Sequence, residues 1–221
     1  MHLRDKKILL ISPNEWGKMF ISKHHYAIEL ARLGNDVFFL NPPDYTQKQY
    51  IKIEKHSTIS NLTIITYRPF LPFFLRFHAR RIYDFLLRFE LRHLTRSIGL
   101  PMDIVWCFET NLYGNLTYFN AKEKIIFHPV DQVKYDYQIK IGGRADIILS
   151  VSTSILDKFS QAIAKKKWIN HGLGADFVQM ALTQDLQKAE TRGPLKVGYV
   201  GNLLNSTIDT KTILRIVATV F

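Results

Sequence analysis

KIIFHPVDQVKYDYQIKIGGRADIILSVSTSILDKF, Lys124–Phe159, is the stretch that decides the fold. Two short runs within it, KIIFHP (Lys124–Pro129) and ADIILSVS (Ala145–Ser152), are apolar without alternation. A strand that shows water one face alternates polar and apolar residues, whereas a strand covered on both faces does not. These runs therefore read as parallel strands of a sheet with helices on both sides. After the second run, Ser154 followed by Asp157 predicts a helix opened by a variant capping box.

The same grammar extends in both directions. Upstream, KILLIS (Lys7–Ser12) predicts a first strand. SKHHYAIELARLG (Ser22–Gly34) predicts a helix with Ser22 as N-cap, Gly34 as its stop, and Ala27, Leu30 and Ala31 on one face. DVFFLNPP (Asp36–Pro43), NLTIIT (Asn61–Thr66) and DIVWCF (Asp103–Phe108) predict further strands, with one long helix from about Phe73 to Ser97. Downstream, KKWINHG (Lys166–Gly172) predicts the last strand of this set. The fold class is α/β: a Rossmann-like, doubly wound parallel sheet with helices on both faces, spanning residues 1–175. A polar helix and linker follow over 176–193. PLKVGYVGNL and the helical pattern IDTKTILRIVATVF, residues 194–221, read as the opening of a second domain. A βα unit without partner strands cannot bury its own faces.

Composition narrows the function. Among 221 residues, 30 Lys and Arg face 19 Asp and Glu, a net charge of +11, which suggests an anionic partner. The single cysteine, Cys107, allows neither an intrachain disulfide nor a cysteine metal cluster, and fits a reducing, cytoplasmic setting. No apolar stretch reaches the length of a membrane span. Nucleic acid is not expected, because no helix-turn-helix, zinc or RNA-binding signature is present.

Open parallel sheets bind ligands beyond the carboxyl ends of their strands, so the residues after each strand are the candidates. After the first strand, Gly17 is the one glycine in a loop that feeds a helix N-terminus. It reads either as a plain turn glycine or as a place where a phosphate approaches backbone; the loop is not GxGxxG, which counts against NAD or FAD. His24 and His25 lie in the first turn of that helix, as substrate-facing or capping residues. Glu109 and Asn111 follow the Asp103–Phe108 strand, where the carboxylate binds hydroxyls or serves as a helix N-terminal charge. His128 and Asp131 form the cluster of greatest interest: a histidine and a carboxylate three residues apart at a strand end, able to share one pocket. The alternative is a surface turn stiffened by Pro129. His171 follows the Lys166–Asn170 run, and Gly201 and Asn202 sit in the first turn of the second domain. No metal site is expected. Residues Phe73–Ser97 interleave Arg76, Arg80, Arg88 and Arg92 with phenylalanines. That pattern reads either as an interfacial element on an anionic membrane or as a core helix with a solvated basic back.

Taken together, HHYAIELARLGNDVFFLNPP, KIIFHPVDQ…ADIILSVSTSILDKF…WINHGLGADF and LKVGYVGNL…ID resemble the family 4 retaining GT-B glycosyltransferases. The likeness covers essentially the whole chain, with Asn35 at the family's usual histidine and one glycine, Gly17, where a pair is usual. The resemblance implies two Rossmann-like domains facing a cleft, acceptor on the first and nucleotide-sugar donor on the second, with no metal or other cofactor. It places His128 near the reacting sugar, Gly17 against the donor phosphates and Gly201 on the donor side. On this reading the enzyme transfers sugar to a lipid-linked or polysaccharide acceptor in cell-surface glycan synthesis, with the basic stripe holding it on an anionic membrane. The family's second-domain carboxylates lie beyond residue 221, so the chain alone is expected to be inactive. A non-catalytic membrane-associated binding module and a sugar-nucleotide epimerase on the same fold remain the alternatives.

Overall fold

A computed structural model describes residues 3–17, 20–72, 74–99, 101–172 and 174–183, together with 209, 211, 212, 214, 215 and 218. The chain divides into two units, Met1–Gln179 and Met180–Phe221. The first carries an eight-stranded sheet. Its strands are β1 Lys7–Ile11, β2 Asp36–Leu40, β3 Ile51–Lys55, β4 Leu62–Tyr67, β5 Ile104–Cys107, β6 Lys124–Phe127, β7 Ile147–Ser150 and β8 Lys165–Trp168. They lie in the order β3-β4-β2-β1-β5-β6-β7-β8. All pairs are parallel except β3 with β4, where Ile51 opposes Tyr67.

The alternation of side chains through the sheet sorts its residues into two cores. Ile8, Leu10, Val37, Phe39, Ile104 and Trp106 meet Ala27, Leu30 and Ala31 of helix α1, Ser22–Arg32. Leu9, Ile11, Val105, Cys107 and Phe127 meet Leu87, Leu91 and Leu94 of helix α3, Arg80–Ile98. This is the doubly wound α/β domain that the uninterrupted apolar runs imply. Gly34 ends α1 with φ +91°, the left-handed value that favours glycine.

Several local expectations are corrected. Residue Ile21, not Ser22, is the N-cap of α1. Its N–H donates to Nδ1 of His24 (3.2 Å), the back-bond that an N3 side chain makes to the N-cap, and no hydroxyl caps the helix. The Phe73–Ser97 pattern is two helices, α2 Leu75–His78 and α3, broken at Ala79 with φ −140° and ψ 56°. Ser152 stands at the N-cap of α5, Thr153–Leu156, without a side-chain cap, and Ser154 and Asp157 form no capping box. The edge strand β3, IKIEK, lacks an apolar run because it is largely exposed, and helix α4, Asp136–Gly142, fills the segment between the two deciding strands.

In the second unit the described residues Lys211, Thr212, Leu214, Arg215 and Ala218 are helical, and Asp209 accepts from the Thr212 backbone N–H at 3.1 Å. The strand expected over 194–203, with Gly201 and Asn202, lies outside the described residues.

Candidate functional site

The strand order reverses beside β1. The chain steps from β1 to β2 on one side, and after β4 it returns through α3 to β5 on the other. A crevice at the carboxyl ends of β1, β5 and β6 is the topological consequence. The loop after β1 is built rigidly. Ser12 Oγ donates to the Asn14 carbonyl and accepts from its N–H, and the Trp16 N–H donates to Asn41 Oδ1 at 2.7 Å. A Cβ on Gly17 would meet no protein atom, and its φ is not left-handed, so the fold itself makes no demand for glycine there.

The two histidines of α1 separate. His24 is fully buried, accepts from the Ile21 N–H at Nδ1 and meets the Glu15 carbonyl at Nε2 (3.0 Å). An amide N–H only donates and a carbonyl only accepts, so the ring is the neutral Nε2–H form; burial lowers its pKa. Both nitrogens are committed to the loop. His25 meets Phe177 edge-on at 5.4 Å and sits against Gly174, where an added Cβ would lie 3.1 Å from its Nδ1.

Beyond β5, Glu109 is buried, and its Oε1 accepts from the N–H groups of Asn111 and Leu112. It closes a turn. Asn111 Oδ1 accepts from Tyr137 Oη and Gln138 Nε2, tying that turn to α4. Oε1 of Glu109 and Oδ1 of Asn111 are thus both engaged within the fold.

His128 is different. It is 0% exposed, at the end of β6, packed against Phe108 (4.5 Å) and crossed edge-on by Tyr26 (5.6 Å). Its Nδ1 meets the indole nitrogen of Trp106 at 3.3 Å. An indole N–H is donor only, so Nδ1 must accept and the proton of the neutral ring must sit on Nε2. That Nε2 is buried with no hydrogen-bond partner. Burial, then His171, then Lys23 push its pKa down to about 3. His171 lies parallel to it, with centroids 5.5 Å apart and planes 18° apart. Both its ring nitrogens are also buried without a partner, and burial lowers its pKa. The ring borders a cavity of about 160 Å³ shared with Ser22, Tyr26 and Gly172.

Asp131 is exposed and three residues away, yet Trp106 is what fixes the His128 ring. Two contributors carried no sequence signal strong enough to single them out. Trp106 is one apolar residue in an apolar strand. Lys23 reads as the polar start of a helix, yet it is only 6% exposed and feels the charges of Asp131 and Glu109. Among the described residues no group of three potential metal ligands occurs.

The arginines also separate. Arg80 turns inward, donating from Nε to both Asp84 oxygens and from Nη1 to the Asn111 carbonyl, with its guanidinium 4.6 Å from the Tyr137 ring. Arg88 lies over Phe85 and Phe89, 4.0 and 4.5 Å from the ring centres, and Arg92 is exposed. Arg76 stands 5.1 Å from the exposed Phe77 ring.

Neither a protein-family model nor a curated protein sequence matches the chain. Among solved structures it is similar to the E. coli trehalose-6-phosphate protein bound with UDP-2-fluoro glucose. That match has 12% identity, covers 96% of this chain and 54% of that one, and gives a TM-score of 0.50. An α,α-trehalose 6-phosphate synthase from Burkholderia multivorans is 15% identical over 72% of this chain and 42% of that one (TM-score 0.47). Anabaena HepE in complex with UDP and glucose is 14% identical over 76% and 45% (TM-score 0.44). The likeness to the first of these is one of fold, the Rossmann-like α/β domain of the GT-B architecture. The chain spans about half the length of the three structures.

Proposed function

We propose that this chain is the acceptor-side half of a nucleotide-sugar-dependent glycosyltransferase, and that His128 meets the transferred sugar as a neutral hydrogen-bond donor. One observation carries the reading: a buried, unpartnered Nε2–H at the carboxyl end of β6, fixed in its tautomer by Trp106. A buried donor without a partner costs about 1–3 kcal/mol, and a ligand oxygen in the crevice would remove that cost. With its pKa near 3, His128 holds its proton rather than exchanging it at neutral pH. Its role is orientation and charge stabilisation, not general acid–base work.

The acceptor side rests on a larger cavity, about 830 Å³, at the carboxyl ends of β1 and β2, lined among others by Trp16, Asp44, Tyr45 and His56. An aromatic face beside carboxylate, hydroxyl and imidazole groups suits a polyhydroxylated acceptor. Gly17, open on its Cβ side, fits a loop approached by donor phosphates. Gly201 and Asn202 remain the donor-side residues of this proposal, with no metal or other cofactor, and Asp131 is the carboxylate at the mouth. A lipid-linked or glycan acceptor is proposed because α2, α3 and the preceding loop expose Phe70, Phe74, Phe77, Phe85 and Phe89, with Phe77 64% exposed, beside Arg88 and Arg92. Such a face suits the anionic inner surface of a membrane from the cytoplasmic side. Among the described residues no helix is long and apolar enough to cross one.

The test is release of nucleoside diphosphate from a panel of nucleotide sugars by the full-length natural protein. His128→Ala should lower kcat/KM at least 10²-fold, the scale for loss of one preorganised donor. Full rate in that variant would remove His128 from the mechanism.

A further inference from the structure

Two arginines near the end of α3 stand without a counter-ion. Arg92 and Arg96 are exposed, one helical turn apart, and neither side chain pairs with any described residue. The rest of the stripe is used differently: Arg80 is held by Asp84, and Arg88 lies over two phenylalanine rings. Like charges at this spacing repel. A basic residue in a helix's last turn complements the dipole, which accounts for Arg96 alone. No Asp or Glu occurs over 91–102 or 110–122, the two segments that meet around the pair.

Both arginines line one cavity of about 480 Å³, with Thr95 on α3 and Thr117, Tyr118 and Asn120 from the short 3-10 turn Leu116–Phe119 and its cap. A second cavity, about 350 Å³, shares Thr95, Arg96 and Asn120 and adds Gly99, Pro101 and Phe119. The threonine hydroxyls are committed, Thr95 donating to the Leu91 carbonyl at 2.9 Å and Thr117 to Asn115 Oδ1 at 2.7 Å. The Tyr118 hydroxyl and the Asn120 carboxamide have no partner among the described residues. Two guanidinium forks, a phenol and an amide thus share one opening, with no carboxylate in its lining. The segments that form it lead into β5 and β6, and the Lys122 N–H ties them by donating to the Met102 carbonyl at 2.9 Å. The opening therefore lies at the amino ends of these strands, the edge of the sheet opposite His128.

We propose that Arg92, Arg96, Tyr118 and Asn120 form a binding site for a phosphomonoester, distinct from the crevice at the carboxyl ends of the strands. Such a group carries a charge of about −1.5 to −2 at pH 7 and three acceptor oxygens. Two guanidiniums match that charge, and their planar forks suit its oxygens; a carboxylate would leave one arginine unanswered. The phenol and the amide add two neutral donors. The second cavity, bordered by Pro101 and Phe119, takes the body of the ligand. Two sources share this chemistry, a soluble phosphorylated metabolite and the headgroup of an anionic lipid. The site stands independently of the glycosyltransferase reading.

Nitrogen–proton spectra of the protein, titrated with inorganic phosphate at ionic strength held constant by chloride, test the site. Saturable shifts are expected at the Arg92 and Arg96 Nε–H groups and at the backbone amides of Tyr118 and Asn120. Arg96→Gln should weaken binding at least tenfold. Arg96→Lys should recover it in part, because the ammonium keeps the charge and loses the fork. Tyr118→Phe leaves both arginines in place and should weaken binding severalfold. Glycerol phosphate and dihexanoyl phosphatidic acid, the latter below its micelle concentration, then separate the sources, since they differ by the acyl chains alone. Tighter binding of glycerol phosphate assigns the site to a soluble metabolite; tighter binding of the phosphatidic acid assigns it to a lipid headgroup. No saturable shift at these residues, shifts that chloride alone reproduces, or equal affinity in wild type, Arg96→Gln and Tyr118→Phe overturns the proposal.

Discussion

The indole nitrogen of Trp106 on β5 lies 3.3 Å from Nδ1 of His128 at the end of β6. This contact sets which histidine nitrogen carries the proton and leaves the other, Nε2, buried without a partner. Adjacent parallel strands make it possible: Trp106 pairs in register with Ile126, two residues before His128.

Replacing Trp106 by phenylalanine keeps an aromatic ring and deletes the donor. Nδ1 of His128 is then buried without a partner, and folding stability should fall by about 1–3 kcal/mol. Chemical denaturation measures this, and long-range nitrogen–proton spectra should show the His128 tautomer preference weakened.

Glu90 of α3 supplies a pH signature away from the crevice. It is 1% exposed, its Oε2 accepts from the Leu71 N–H (3.2 Å), and Oε1 is buried without a partner, as is the Tyr50 hydroxyl. Burial raises its pKa from 4.5 to about 7. Between those values the folded state holds a proton that the unfolded state has lost, so stability falls as pH rises through the window and levels off above it. The full shift corresponds to about 3 kcal/mol. Stability of the wild type minus that of Glu90→Gln, measured against pH, should decline across that window; a flat difference would show that Glu90 does not titrate there.

The buried histidines act in the opposite sense. His24, His128 and His171 all have lowered pKa values, so the unfolded state takes up protons below about pH 6.5 that the folded state refuses. Their contribution is present above that pH and lost as it falls. His24→Gln should remove part of this acid sensitivity. It should also speed amide exchange at Ile21, whose N–H the ring accepts.

On α3 the arginines predict different outcomes. Sedimentation with acidic vesicles should be lost in Arg88→Glu/Arg92→Glu and largely retained in Arg80→Gln, because Arg80 is engaged by Asp84 and Asn111. Equal binding by all three proteins would remove the aromatic–arginine face as a membrane contact.

The parallel sheet was legible because β1, β5, β6 and β7 are buried on both faces, which leaves an apolar run in any reading frame. Strand β3 was not, because an exposed edge strand has no such run. Position along the sheet pointed to His128, but what distinguishes it from His24 is the partner of each nitrogen, a three-dimensional property. Lys23 and Trp106 were missed for the same reason. A lysine in a helix's first turn is ordinarily solvated, and a tryptophan in an apolar strand is ordinarily packing. Only the neighbouring ends of β5 and β6 bring the Trp106 indole to His128.

The central claim, that His128 presents a neutral Nε2–H to the crevice, is tested most directly by its ring nitrogen resonances from about pH 8 to about pH 5, across the usual histidine range. A single neutral Nε2–H pattern throughout, with no titration, is the expected result for a group held near 3. Conversion to imidazolium with a midpoint near the ordinary value of about 6.5, or a proton resident on Nδ1, would contradict it.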